Sequence, residues 1–202
     1  MHCLVTAGAT VEPIDQVRCL TNHSTGRLGA KLADTLARSG HQVTLLLSST
    51  AQYSPKVKSV STSNFSTTSD LEKLLKAHST ANPDAVFHVA AVSDFKVARP
   101  KQGKIASDNS HTLKLIPTPK LIQRFRKWFP EAILIGWKYE VNGGRVSALV
   151  AGTAQVKRCR TDACVVNGPA YGEGYGVIDR TGQLRSANDS RALFRALKRL
   201  LT

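Results

Sequence analysis

The chain has 202 residues, 42% of them hydrophobic and 21% charged, with a formal net charge of +14. That length supports a core without disulfides or structural metals, and the composition is globular, which excludes a disordered chain. The charge attracts polyanions, yet only 6% of residues are aromatic and no nucleic-acid motif occurs, so specific nucleic-acid binding is not expected and phosphorylated small molecules are the expected partners.

Cys3–Thr6 reads as a buried strand that begins at once and leaves no room for a secretory leader. A long polar loop runs from Gly8 to Thr25. Gly26–Ser39 then places Leu28, Leu32, Ala33 and Leu36 on one helical stripe that stops at Gly40. Gln42–Leu47 is the next strand, which completes a βαβ unit with right-handed crossover and parallel strands. Val57–Thr62 is a candidate third strand. Ser59–Asp70 is rich in Ser and Thr and reads as a polar loop supplying Ser69 or Asp70 as N-cap to a helix over Leu71–Ala77. Asp84–Ala91 is an apolar, central strand in which His88 is expected to be a packed core histidine.

Arg99-Pro100-Lys101-Gln102-Gly103-Lys104 is a basic loop, and Thr112–Ile116 alternates like an exposed strand. Pro117 and Pro119 flank a turn into a helix over Lys120–Trp128. Ile133–Trp137 is a strand, Gly143 and Gly144 permit a turn, and a helix follows over Arg145–Arg158. Ala163–Asn167 is the last buried strand. Gly168–Gly176 is glycine-rich, Gly176–Arg185 reads as a hairpin, and Ser190–Leu201 is a closing amphipathic helix. With no internal repeat and no linker, residues 1–202 are expected to form one domain. Its class is α/β, a Rossmann-like doubly wound, mostly parallel sheet.

Cys3, Cys19, Cys159 and Cys164 form neither a CxxC pair nor a zinc spacing, so reduced thiols are expected. No segment reaches the roughly 18 to 20 apolar residues of a membrane span, and a soluble, cytoplasmic protein is expected. The basic excess is uneven: residues 1–100 carry +3 and residues 101–202 carry +11.

Ligands of doubly wound sheets sit at the carboxyl ends of the strands. Four loops follow strands and are expected to converge there: Gly8–Thr25, Val92–Lys104, Lys138–Gly144 and Asn167–Gly176. The first brings backbone N–H groups and a helix N-terminus beside a strand end, which favours an anion. It is neither G-x-G-x-x-G nor a P-loop, although Gly26-x-x-Gly29 keeps the last two glycines of the former. Asn22 reads as a local capping residue or as an amide that orients a carbonyl. Lys104 reads as a solvated lysine or as a mobile charge for a triphosphate. Lys138 directly follows an apolar strand, with Glu140 on its face.

Together these segments resemble the phosphopantothenate–cysteine ligase (phosphopantothenoylcysteine synthetase) family over about residues 3 to 185. TAGATVEPIDQVRCLTNHSTGRLG is similar to that family's opening block, AAVSDFKV to its AAV-A/S-D segment, LKLIPTPKLI to its segment around Asn/Thr-Pro, GWKYEV to its GF-x-x-E-T strand end, and VVNGPAYGEGYGVI to its late AND region. The resemblance implies ligation of 4′-phosphopantothenate with cysteine through an acyl-nucleotidylate. It implies CTP or ATP as co-substrate with Mg²⁺, and a homodimer whose flap hairpin joins the subunits.

It also implies roles for particular residues. Asn22 acts on the acyl-nucleotidylate, and Arg18 and Lys104 belong to the catalytic set. Gly8, Ser24, Thr25 and Gly26 cradle phosphate. Ala91, Asp94, Lys138 and Asn167 lie at the nucleotide. The sequence departs from the family at Lys104-Ile105-Ala106-Ser107, where K-x-K-K is usual, and at Gly168, where Asp is usual. A chain of this extent corresponds to a stand-alone synthetase without the flavin-dependent decarboxylase half. A nucleotide- or phosphate-binding module of the same fold that lacks the activity is the alternative. An oxidoreductase is disfavoured by the missing glycine spacing.

Overall fold

The computed structural model describes residues 1–201. In chain order its strands are β1 (His2–Ala7), β2 (Val11–Pro13), β3 (Cys19–Thr21), β4 (Gln42–Ser48), β5 (Ser61–Phe65), β6 (Ala85–His88), β7 (Phe95–Val97), β8 (Leu115–Pro117), β9 (Ile133–Tyr139), β10 (Ala163–Asn167), β11 (Tyr175–Asp179) and β12 (Leu184–Ala187). The helices are α1 (Arg27–Arg38), α2 (Thr68–Ser79), α3 (Phe125–Trp128), α4 (Arg145–Cys159) and α5 (Ser190–Lys198), with a 3₁₀ turn over Leu121–Arg124.

Eight strands form one sheet in the order β12-β11-β10-β9-β6-β1-β4-β5. The pairs from β5 through β10 are parallel, while β10–β11 and β11–β12 are antiparallel. This bears out the doubly wound, mostly parallel sheet. Its centre is buried on both faces, and period-2 alternation divides the side chains between them. Cys3, Val5 and Ala7 pack under α1 and α5, with Leu32, Leu36, Leu193 and Leu197. Leu4 faces the opposite layer, with Leu71, Leu75, Phe125 and Phe129. α4 covers β10 and β11 on a third patch built on Val156, Val166 and Ile178.

The third strand, expected over Val57–Thr62, is found at Ser61–Phe65, because residues 57–60 form a turn closed by the Val60 N–H to the Val57 carbonyl at 3.1 Å. The chain departs from expectation in four further respects. The loop after β1 contains a short hairpin, β2–β3. The Ser/Thr-rich stretch holds a real strand, β5, which lies at the sheet edge, where polar side chains face water and discourage further pairing. Helix α2 starts earlier than Leu71 and is capped by Thr67. The Thr67 hydroxyl accepts from the Asp70 N–H at 3.1 Å, and the Asp70 carboxylate accepts from the Thr67 N–H at 3.0 Å, a closed capping box. Finally, the expected helix over Lys120–Trp128 is a 3₁₀ turn and a single α turn.

The expected flap hairpin is the separate antiparallel pair β7–β8, joined by the irregular segment 98–114. The four cysteines are free. Burial pushes the Cys3 thiol up to about 11 and the Cys164 thiol up to about 12, so neither is a thiolate at neutral pH. Among the described residues no helix is long and apolar enough to cross a membrane.

Candidate active site

The order β5-β4-β1-β6-β9-β10 repeats the strand order of a dinucleotide fold, in which the chain leaves β1 toward one side and β6 toward the other. A crevice opens at the carboxyl ends of the strands where the winding reverses. The structure places a cleft of about 1060 Å³ there.

The cleft floor is made by close backbone approaches. Gly8 ends β1 at φ +88°, and a Cβ there would stand 2.5 Å from Ser48 Cβ. Gly26 enters α1 at φ +78°, and a Cβ there would stand 3.6 Å from Gly8 Cα. Glycine at both positions lets the strand end, the helix entry and the end of β4 meet. Gly26 offers α1 no side-chain cap and the Arg27 N–H makes only a long bond of 3.5 Å to the Thr25 hydroxyl, so the positive end of the helix dipole favours an anion in the cleft. Gly29, one turn on, lets α1 lie directly on Ala7.

Asn22 closes this floor from the side: its Nδ2 donates to the Ala91 carbonyl at 3.4 Å. Ala91 in turn donates its N–H to the Gly8 carbonyl at 2.9 Å. Asn22 and Ala91 are thereby fixed to the same strand end as the glycine loop.

Nine of the eleven residues expected at the site line this one cleft: Gly8, Asn22, Ser24, Thr25, Gly26, Ala91, Asp94, Lys138 and Asn167. They come from segments far apart in sequence. Lys138 pairs with Glu140 at 2.8 Å, as the strand register predicts. Arg18 and Lys104 are placed elsewhere. Arg18 donates to the Asp15 carboxylate at 2.7 Å and to the Ile105 carbonyl at 3.0 Å, which makes it a tie between the β2–β3 hairpin and the basic loop. Lys104 is exposed on that loop and does not line the cleft of its own chain.

The sequence reading missed other cleft residues. Arg27, Lys31, Lys120 and Arg158 bring positive charge, and Trp137 and Gln155 form part of the wall. Lys31 could have been found, since it lies one turn after Arg27 on the exposed face of α1. Lys120 and Arg158 could not, because their approach depends on how α3 and α4 pack. Against the five cations Arg27, Lys31, Lys120, Lys138 and Arg158, Asp94 is the one carboxylate in the lining, and Lys120 is hydrogen-bonded to it. A concave surface with that balance concentrates phosphorylated ligands. Two buried polar atoms of the lining, Trp137 Nε1 and Asn167 Oδ1, have no partner among the described residues.

His88 also reaches the cleft and is the packed histidine that was expected. The Thr6 hydroxyl accepts from the Ala90 N–H at 3.1 Å and lies 2.9 Å from His88 Nδ1. The hydroxyl and the ring nitrogen share this hydrogen bond. Burial lowers the His88 pKa to about 4, so the ring is neutral at physiological pH.

Gly168, where the related family usually has Asp, sits at φ +110°, and a Cβ there would stand 2.5 Å from the Glu140 carbonyl oxygen. The turn after β10 is therefore folded around glycine. Among the described residues no three His, Cys, Asp or Glu side chains gather as a metal site. Mg²⁺ commonly needs only one or two carboxylates when phosphates supply the rest. The donor set here fits a cation carried in on a nucleotide rather than a resident ion.

Residues 1–199 match the family described as the DNA/pantothenate metabolism flavoprotein C-terminal domain. The chain belongs to this family. It is 34% identical over 168 residues to the coenzyme A biosynthesis bifunctional protein CoaBC of Thermococcus kodakarensis; that match covers 81% of this chain and 40% of the relative, so the chain spans well under two thirds of that protein. The crystal structure of the DNA/pantothenate metabolism flavoprotein from Streptococcus pneumoniae superposes with a TM-score of 0.87 at 26% identity, covering 98% of this chain and 97% of that one. A mutant of Cab2 in complex with phosphopantothenate-cysteine shares the fold, with a TM-score of 0.82 at 18% identity, covering 99% of this chain and 85% of that one.

Proposed function

We propose that the chain ligates 4′-phosphopantothenate with cysteine, with CTP or ATP as the activating nucleotide, in cytoplasmic coenzyme A biosynthesis. The observation that carries this reading is the convergence of Gly8, Asn22, Ser24–Gly26, Ala91, Asp94, Lys138 and Asn167 on one cationic cleft. Membership of a pantothenate-metabolism family agrees with it, as does the phosphopantothenate-cysteine held by Cab2 on the same fold.

In the first step a carboxylate oxygen of phosphopantothenate attacks the α-phosphorus of the nucleotide. A P–O bond breaks and pyrophosphate leaves. In the second, the cysteine amine attacks the acyl carbon, the nucleoside monophosphate leaves, and the amine gives up a proton. Mg²⁺ borne on the triphosphate neutralises part of its charge. The chain's own contribution is placement and charge stabilisation. The glycine cradle and the first-turn N–H groups of α1 hold a phosphate. Lys138, Lys120 and Arg158 offset charge on the nucleotide, and Asn167 presents an acceptor to it. Asn22, fixed by the Ala91 carbonyl, orients the activated acyl group. Asp94 holds Lys120 in place.

Lys104 enters the reaction from outside its own cleft, and a homodimer in which the loop of one copy reaches the cleft of the other accommodates that. The test is pyrophosphate release from folded protein given 4′-phosphopantothenate with CTP or ATP, followed by product formation on adding cysteine. No release with either nucleotide refutes the ligase and leaves a binding module of the same fold, a reading favoured by Ala106 and Ser107 standing where K-x-K-K has its second and third lysines, and by Gly168 where Asp is usual.

A further inference from the structure

The basic loop is gripped where it ends at Ile105, and the holder is a carboxylate that does not line the cleft. Asp15 follows the β2 strand, and its side chain has no exposure to solvent. Its Oδ1 accepts from the N–H groups of Val17 and Arg18 at 2.8 and 2.7 Å. Its Oδ2 accepts from the N–H of Ile105, ninety residues away in sequence, at 3.0 Å, and from Arg18 Nη1 at 2.7 Å. Arg18 Nη1 completes the ring by donating to the Ile105 carbonyl at 3.0 Å.

Both backbone groups of Ile105 are thus gripped, and its side chain is 8% exposed while Lys104 and Ala106 beside it are exposed. Further bonds stitch the same two segments: the Lys101 N–H donates to the Ile14 carbonyl at 3.0 Å, and the Gln16 N–H to the Gly103 carbonyl at 3.3 Å. The Asp15 carboxyl is held down at about 2, chiefly by the Ile105 N–H and then by the N–H groups of Val17 and Arg18 and the Arg18 charge. The clamp is therefore charged at neutral pH.

We propose that Asp15 is a positioning residue for the Lys104 loop, with Arg18 as its fork-shaped partner: together they fix Ile105 so that the adjacent lysine is presented at a set height and direction. This inference rests on the proposed ligase function only for what Lys104 then does. The clamp explains why an arginine outside the cleft belongs to the same sequence block as Asn22. Free in solution, segment 98–114 is long enough to sample many conformations, and each ordered residue costs about 1–2 kcal/mol of conformational entropy. A pre-fixed loop avoids that cost when substrate arrives.

Asp15→Asn tests the clamp. Asn keeps an oxygen for Val17 and Arg18 but replaces Oδ2 with a donor that cannot accept from Ile105. Arg18→Lys, at a half-exposed position, is the second variant should Asp15→Asn fold poorly. Hydrogen exchange followed peptide by peptide is expected to speed up by about tenfold or more at residues 99–106 in either variant, the loss expected for a charged hydrogen bond, with exchange in β1 and α1 unchanged. Pyrophosphate release is expected to fall about tenfold in Asp15→Asn, yet to fall no further when Asp15→Asn is added to Lys104→Ala. Unchanged exchange at 99–106 overturns the inference, and so does an equal slowing of the wild type and of Lys104→Ala. If the wild type releases no pyrophosphate, the ligase reading falls and the exchange measurement alone decides the clamp.

Discussion

Gly29→Ala separates the function of the phosphate cradle from the stability of the fold. A Cβ at residue 29 would lie 2.5 Å from Ala7 Cβ and 3.2 Å from both Ala7 Cα and the Thr6 carbonyl oxygen. Carbon atoms rest at about 3.5–4.0 Å, so α1 must lift from β1 by about 1 Å at its first turn. Overpacking of that kind costs about 1–3 kcal/mol, and replacing glycine within a helix returns about 1 kcal/mol. The net loss is about 1 kcal/mol, or a melting temperature lower by about 2–4 °C for a chain of this size. Catalysis is expected to suffer more, because Gly26 and the first-turn N–H groups move with the helix, and a displacement of about 1 Å can cost about 100-fold in rate.

Gly40→Ala supplies the comparison. Gly40 has φ +85° with nothing within 4 Å of a Cβ, at the far end of the same helix. It loses about 1 kcal/mol through backbone strain without moving the cradle. Thermal melts paired with single-turnover pyrophosphate release distinguish the two. Equal activities for Gly29→Ala and Gly40→Ala at equal stability would refute the coupling of α1 packing to phosphate placement.

Three more outcomes follow from the geometry. Asn22→Asp replaces the donor to the Ala91 carbonyl with a carboxylate and is expected to slow product formation more than pyrophosphate release; equal slowing of both steps removes the role given to Asn22. His88 binds its proton at about pH 4 in the folded chain against 6.5 when exposed, so the unfolded state holds more protons between those values. Stability is therefore expected to fall by about 3 kcal/mol as pH drops through that window; His88→Asn, which keeps a hydrogen-bonding group for Thr6, is expected to flatten the slope in denaturant titrations at pH 6.5 and 4, and an unchanged slope contradicts the assignment. Gly168→Asp, which restores the residue usual in the family, is expected to lower stability by about 2–4 kcal/mol from positive-φ strain and the clash with the Glu140 carbonyl; a melt matching wild type, with faster turnover, would show that the turn had merely lost a carboxylate.

The parallel core was legible because its strands are short apolar runs separated by a periodic helix or a glycine turn. Ala163–Asn167 was placed to the residue. Four loops at strand ends sufficed to locate the cleft, since a doubly wound sheet leaves them only one edge on which to meet. What escaped was set by tertiary context. The strand Ser61–Phe65 is polar because it is an edge, so its sequence looks like a loop. The capping box of α2 looks like more of the same Ser/Thr tract until the Thr67–Asp70 spacing is noticed. Arg18 shares a motif with Asn22, which suggested a shared task. Only the hydrogen bonds to Asp15 and Ile105 show that the block has two parts, one facing the cleft and one facing the loop.

The basic excess of the second half resolves in the same way. Part of it is neutralised locally: Arg124 by Glu72, Arg126 by Asp162 and Arg185 by Asp179. Part of it, Lys120, Lys138 and Arg158, turns into the cleft and joins Arg27 and Lys31 from the first half. The exposed cations Arg191 and Arg195 lie on α5, which shares its face of the sheet with α1, the helix that carries Arg27 and Lys31. Under the proposed function they would raise the local concentration of a triphosphate near a site already cationic. On this argument added salt screens the approach of the nucleotide before it disturbs the bound state, because exposed charges are screened over about 8–10 Å and those in the cleft much less. Nucleotide KM is therefore expected to rise with ionic strength while single-turnover rates at saturation hold. The opposite pattern would place the field's action at the chemical step instead.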